Sequence, residues 1–119
     1  MSTTPTDPTA DDTRCPLTAA LNAVGGKWTM IALYWIAEAP RRFGEMQRLM
    51  PEVSQKVLTE TLRNLEQEGL IVRTVVSEMP AHVEYRLSQH GDTVRPLIDA
   101  MRSWGRGHLE RAPAGTSDA

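Results

Sequence analysis

Residues 54–68 read SQKVLTETLRNLEQE and are followed by Gly69. On a helical wheel the apolar residues and Thr61 lie on one arc of roughly 140°, and most of the polar and basic residues lie on the other side. A serine before the first periodic residue is typical of a helix N-cap, and a glycine after the last one is typical of a helix end. The segment therefore predicts an amphipathic helix over residues 55–68 with one core-facing side.

A short helix and a β-hairpin flank this segment. The preceding residues predict a helix over 44–50, and the following residues predict strands over 70–76 and 82–87 around a turn at 79–81. Two helices joined by a short turn and followed at once by a hairpin have the order of a winged helix-turn-helix. The helix over 55–68 would then be the one that lies in the DNA major groove.

Three more helices are expected outside this motif. Apolar residues at helical spacing predict a short helix over 16–24 and a second one over 27–37. The second is apolar on nearly every side and must be buried in the core or in a subunit interface. A long final helix over 89–110 carries Pro96 in its interior, which predicts a kink. The expected fold class is mainly α (α+β): a winged helix-turn-helix with a two-stranded wing and additional N- and C-terminal helices.

The outer face of the 55–68 helix carries residue types that bind DNA. Glutamine can bond adenine bidentately, arginine and lysine can bond guanine, and a serine with the first-turn N–H groups suits a phosphate. Glu60 on the same side opposes this attraction, and any solvated helix face can carry such residues, so an ordinary exposed surface stays open as an alternative. The candidate residues are Ser54, Gln55, Lys56, Thr59 and Arg63.

Basic residues also surround this helix in the sequence. Residues before the first helix of the motif, on its polar side and on the hairpin could meet phosphates or the minor groove. Each of them alone is an ordinary solvated charge, and only their clustering around one element favours a role in DNA binding. They are Arg41, Arg42, Arg48, Arg73 and His82.

The overall charge argues weakly against a nucleic-acid binder. The 119 residues contain 13 Lys and Arg against 15 Asp and Glu, a net charge of −2, whereas such domains usually carry a basic footprint. The excess lies in residues 1–14, which hold three aspartates and one arginine and are too polar to form a core. Residues 15–119 together are neutral, with 12 basic and 12 acidic side chains. We expect disordered tails at 1–14 and 112–119 and one folded domain over 15–111.

Composition also excludes several classes of protein. One cysteine and three scattered histidines do not form a metal site or an intramolecular disulfide. The longest apolar run, residues 30–37, is too short to span a membrane, and no secretory signal is evident, so we expect a cytoplasmic protein. No catalytic constellation or phosphate-binding loop is evident, so we expect neither an enzyme nor a cofactor.

Short motifs run through residues 14–109: Cys15-Pro16, Gly25-Gly26-Lys27-Trp28, Arg42-Phe43-Gly44-Glu45, Ser54-Gln55-Lys56-Val57-Leu58-Thr59, Leu62-Arg63-Asn64-Leu65-Glu66, Gly69-Leu70, Val83-Glu84-Tyr85, Gly91, Pro96 and Trp104-Gly105. Together they resemble the HxlR-type family of bacterial transcriptional regulators, which are MarR-like winged helix-turn-helix proteins. The resemblance implies a homodimer, built from the terminal helices, that binds a near-palindromic operator in double-stranded DNA.

The apolar residues of the terminal helices agree with a dimer. A chain of this size has too small a core to cover a continuous stripe on its last helix as well as its tryptophans, so we expect an isologous interface. The residues expected there are Leu17, Leu21, Trp28, Leu97, Ile98, Met101, Trp104 and His108.

Cys15 is a candidate sensor. It lies at the start of the first helix, where the helix dipole and Arg14 favour a thiolate, while Asp11 and Asp12 oppose it. Some members of the HxlR-type family sense oxidants or electrophiles through a cysteine at this position. The alternative role for Cys15 is that it only packs beside the interface. The alternative functions for the protein are an adaptor that binds proteins instead of DNA and a thiol-based enzyme. No residue set identifies a small-molecule effector.

Overall fold

The computed structural model describes residues 15–111, so the predicted tails at 1–14 and 112–119 lie outside the described residues. The elements are α1 (Pro16–Val24), α2 (Lys27–Glu38), α3 (Phe43–Leu49), α4 (Gln55–Gln67), β1 (Ile71–Glu78), β2 (Ala81–Leu87), a 3₁₀ turn (Gly91–Val94) and α5 (Arg95–Arg111). This order confirms the predicted winged helix-turn-helix. Within the described range no helix has both the length and the apolar character that a membrane span needs.

The core lies around α2, as its uniformly apolar sequence predicts. Ala32 and Leu33 have no exposed surface, and Ile36 is almost fully buried. α3, α4, β2 and α5 all contact this helix. The predicted inner stripe of α4 completes the core through Leu58, Thr61, Leu62 and Leu65. The same burial therefore fixes the side of α4 that remains outside.

The wing is an antiparallel hairpin with one additional pairing partner. β1 and β2 pair from Ile71 opposite Leu87 to Glu78 opposite Ala81, with an irregularity between Val75 and Ser77. Arg41 adds a one-residue bridge on the other edge of β2: its N–H donates to the Tyr85 carbonyl at 2.9 Å and its carbonyl accepts from the Tyr85 N–H at 2.7 Å. The segment before α3 is thereby joined to the wing.

The prediction of a single kinked helix over 89–110 is wrong. The chain forms a 3₁₀ turn first, and α5 begins only at Arg95. Pro96 is therefore the second residue of α5 instead of an interior one. Proline is tolerated in the first turn because an N–H there has no intrahelical partner, so no kink is required.

Ser88 joins the end of α4, both strands and the turn before α5. Its hydroxyl donates to the Gly69 carbonyl at 2.6 Å and accepts from the Gly91 N–H at 2.8 Å, and its own N–H donates to the Leu70 carbonyl at 3.0 Å. Gly69 has φ 77°, which ends α4 in the left-handed conformation that glycine favours. Gly91 is fully packed, since a Cβ there would clash with the Leu70 carbonyl.

The packing at Gly91 yields a prediction about stability. Gly91→Ala should lower the free energy of unfolding by about 1–3 kcal/mol, because the new methyl meets backbone that cannot move aside. The control is Gly44→Ala at the start of α3, where a Cβ has only ordinary contact with Arg48. That change should be neutral or stabilising by up to about 1 kcal/mol. Urea unfolding at one protein concentration measures both, and equal effects would contradict the assignment.

Candidate nucleic-acid interface

The start of α4 is held by the predicted serine cap. The Ser54 hydroxyl accepts a hydrogen bond from the Val57 N–H at 3.1 Å. Three of the first four N–H groups of a helix still point outward after such a cap, and they sit at the positive end of the helix dipole. The N-terminus of α4 is thus suited to an anionic group such as a phosphate.

The outer face of α4 brings the predicted base-reading residues together. One shallow surface groove is lined by Gln55, Lys56, Thr59, Glu60 and Arg63. Thr59 is half-buried, and the other four are exposed. Across residues 15–111 no ion pair holds the Lys56 or Arg63 side chain. Their charges face solvent, and Glu60 reduces the net charge of the groove to +1.

Arg42 and Arg48 lie at the two ends of α3. The Arg42 backbone N–H donates to a Glu45 carboxylate oxygen at 2.8 Å, which secures the first turn of this helix and leaves the Arg42 side chain exposed. Arg48 is also exposed. Both guanidinium groups are therefore accessible, as a phosphate contact requires.

Arg41 differs from its neighbours because it is already bound within the protein. Its Nε donates to the Trp35 carbonyl at 2.8 Å, its guanidinium lies 5.8 Å from the centre of the Trp35 ring, and one terminal nitrogen lies 3.4 Å from a Glu38 carboxylate oxygen. Only 18% of the side chain is exposed. The sequence placed Arg41 among the surface cations, and the structure gives it a role in closing α2.

The two wing candidates lie on opposite faces of the hairpin. Arg73 is directly opposite Tyr85, and His82 is three residues from Tyr85 along β2. Residues opposite each other share a face and neighbours along a strand alternate, so Arg73 and His82 point to opposite sides. A wing inserted into a groove could use both, whereas a wing lying flat on DNA could use only one.

Sequence reasoning missed the exposed apolar surface of β1. Val72, Val75 and Val76 are exposed, and Met79 at the turn is 87% exposed. The valines of β1 do not alternate with polar residues as they would on a strand with one inner and one outer face. That lack of alternation was the signal in the sequence that some of them are exposed. The described wing is thus less basic and more apolar on its surface than its arginines suggested.

A second surface is formed by α1 and α5. Its exposed apolar side chains include most of the predicted interface residues. Several of them line a groove to which α2 contributes Met30 and Ile31. Trp104 is 69% exposed and stacks on His108 with ring centroids 4.9 Å apart. The exposed members are Leu17, Leu21, Leu97, Met101 and Trp104.

Two predicted interface residues pack against the core of their own chain. Ile98 is buried against the core of its own chain, because it is on the side of α5 that packs on α2. Trp28 is half-buried against the core with the Lys27 ammonium 4.7 Å from its ring centre. The apolar stripe of α5 therefore divides between a core side and an exposed side.

Cys15 is where the sequence placed it, as the residue before α1. It is half-buried, and its carbonyl accepts from the Ala19 N–H at 2.9 Å. No group of three or more metal-binding side chains occurs in the part of the chain that is described.

This geometry has close counterparts among known proteins. Residues 23–113 match the model of the HxlR-like helix-turn-helix family. The HTH-type transcriptional regulator YdeP of Bacillus subtilis is 40% identical over 97 residues, which cover 82% of this chain and 76% of YdeP.

Two solved structures bear on the sensing hypothesis. The redox regulator HypR in its oxidized form superposes with a TM-score of 0.74 at 38% identity, covering 78% of this chain and 96% of HypR. The quinone-bound YodB of B. subtilis superposes with a TM-score of 0.66 at 29% identity, covering 78% of this chain and 99% of YodB.

Proposed function

Because the chain belongs to the HxlR-like helix-turn-helix family and is a transcriptional regulator, we propose that it binds double-stranded operator DNA as a homodimer. The observation that carries the proposal is the outer face of α4. A helix whose inner side is buried presents two exposed cations, a glutamine and a threonine along one groove. These are donors and acceptors of the kind that read base edges in the major groove.

The contacts divide into base readout and phosphate binding. Gln55, Lys56, Thr59 and Arg63 would read bases, and the capped N-terminus of α4 at Ser54 would receive a phosphate. Arg42, Arg48, Arg73 and His82 would bind the backbone on either side. The Arg41 side chain is bonded to the end of α2. It would hold the segment before α3 in place and would not extend to a phosphate.

The dimer would form through α1 and α5. Exposed apolar residues of both helices line one groove, and a second copy is a self-complementary cover for them. Two copies of α4 would then meet successive turns of the major groove, about 34 Å apart on a near-palindromic site.

Cys15 would make DNA binding responsive to oxidants or electrophiles. It lies immediately before the first residue of α1, the helix that borders the proposed interface, and similar structures include a redox regulator and a quinone-bound regulator. Modification there, or a disulfide between two copies, would change how α1 packs and so the spacing of the two α4 helices.

The first prediction concerns Arg63. Arg63→Ala should weaken binding to the promoter region next to the protein's own gene by about 1–3 kcal/mol and relax the preference at one base position. Fluorescence anisotropy over a salt series measures this, and wild-type affinity should fall linearly on a log–log plot as salt rises. Arg111→Ala, at the far end of α5, is the control and should bind as wild type.

A wild-type protein without salt-dependent DNA affinity would contradict the proposal and favour a protein-binding adaptor. If DNA binds but Arg63→Ala binds equally well, the outer face of α4 is not the reading surface.

The second prediction concerns the dimer. Met101→Glu should raise the dimer dissociation constant about 100-fold or more, because a carboxylate would be buried without a partner. Ser103→Glu adds the same charge about 160° around the same helix and should leave the dimer intact. Sedimentation equilibrium separates the outcomes, and two unaffected variants would place the interface elsewhere.

The third prediction concerns Cys15. Diamide, which accepts two electrons and two protons as two thiols join, should change the DNA affinity of the wild type by about 5- to 150-fold. Cys15→Ser should not respond, and it should bind DNA like the reduced wild type. An equal response of both proteins to diamide and to benzoquinone would exclude Cys15 as the sensor.

A further inference from the structure

The C-terminal end of α2 is closed by two arginines from outside the helix. The last carbonyls of a helix have no partner within it, and here Ala39 is extended (φ −171°, ψ 156°), Pro40 has no N–H and the last turn of α2 holds no basic residue. Arg41 Nε donates to the Trp35 carbonyl at 2.8 Å, and Arg95 Nη1 donates to the Ala37 carbonyl at 2.8 Å. We call this pair of contacts the α2 junction.

The two arginines come from parts of the chain with different proposed roles. Arg41 is bridged to Tyr85 of the wing and leads into α3. Arg95 is the first residue of α5, and its Nε also donates to an Asp92 carboxylate oxygen at 2.7 Å. The Arg95 guanidinium thus joins the turn before α5 to the end of α2. The same end of α2 is bonded by Arg41, which bridges to the wing at Tyr85.

From this geometry we infer that Arg95 is a positioning residue for DNA binding, which it serves without touching DNA. The inference rests on the proposed function. At the α2 junction, the Arg95 guanidinium bonds both Ala37 and Asp92. These two bonds set the angle between α5, the proposed dimerisation helix, and the part of the chain that contains the wing and α4.

The shape of α5 makes this angle consequential. After Ile98 every residue of α5 is exposed or half-buried, and Arg102, two turns into the helix, still contacts α2 with its guanidinium 4.9 Å from the centre of the Tyr34 ring. The first two turns therefore hold the helix. A helix of 17 residues is about 25 Å long, and a tilt of about 10° at its base moves its far end by about 4 Å. In a dimer that shift would alter the spacing of two α4 helices that must match one turn of DNA.

The contribution is geometric, with little effect on stability. The Arg95 and Asp92 side chains are 50% and 60% exposed, and exposed ion pairs contribute little to stability. Loss of the Arg95 bonds would instead allow α5 to adopt other angles. The fraction of dimers whose two α4 helices have the spacing that DNA requires would then fall, and the apparent Kd for DNA would rise in proportion.

Two variants separate position from charge. Arg95→Lys keeps the positive charge but cannot bond Ala37 and Asp92 through one planar fork. Asp92→Asn removes a negative charge, which by electrostatics alone should tighten DNA binding, yet it also removes the charged partner that orients Arg95. Arg106→Lys makes the matched exchange at an exposed arginine of the same helix. Promoter-DNA affinity over a salt series, sedimentation equilibrium and thermal unfolding are measured for each.

We expect Arg95→Lys and Asp92→Asn each to weaken DNA binding about three- to tenfold, with the salt slope, the dimer dissociation constant and the unfolding midpoint close to wild type. Arg106→Lys should match wild type. Wild-type affinity in Arg95→Lys, tighter binding in Asp92→Asn, a flatter salt slope or a parallel loss of dimerisation would each overturn the inference. A wild-type protein that does not bind DNA would overturn the proposed function first, and this inference with it.

Discussion

The packing of four other elements against α2 is the constraint from which the remaining architecture follows. A helix that is apolar on nearly every side is stable only if other elements cover all of those sides. α3, α4, β2 and α5 pack against it from different directions and bury Ala32, Leu33 and Ile36, while Met30 and Ile31 remain half-buried at the groove between α1 and α5. Because α4 must turn its leucines toward α2, its charged face has only one direction left, and that face is the proposed reading surface.

Local signals in the sequence were sufficient for most of this arrangement. The serine cap, the helix-ending Gly69 and the four-position stripe of α4 act within a few residues of one another, so they could be identified without a fold. The start of α5 could not, because it depends on Ser88, which bonds Gly69 and Gly91 across the structure. Pro96 was consequently assigned to a helix interior when it lies in a first turn.

The candidate sites show the same division between local and distant causes. Helical periodicity identified the outer face of α4, and the structure gathers those residues in one groove. Periodicity could not tell that Arg41 bonds the end of α2, that Ile98 turns inward or that Arg73 and His82 oppose each other. Each of these depends on which element lies alongside, and residue type does not encode that. In the proposed DNA complex, the modest charge of the folded part would leave specificity to a few side chains.

The hydroxyl of Ser88 has a thermodynamic consequence for the proposed binding of DNA. Since it ties the base of the wing to the end of α4 and to the turn before α5, those three parts cannot be reoriented separately when a ligand arrives. The entropy lost in ordering them is incurred when the chain folds, before any encounter with a ligand. Binding of DNA would then require little rearrangement at the base of the wing. Any remaining adaptation would be confined to the tip of the wing around Met79 and to the relative placement of the two subunits of the proposed dimer.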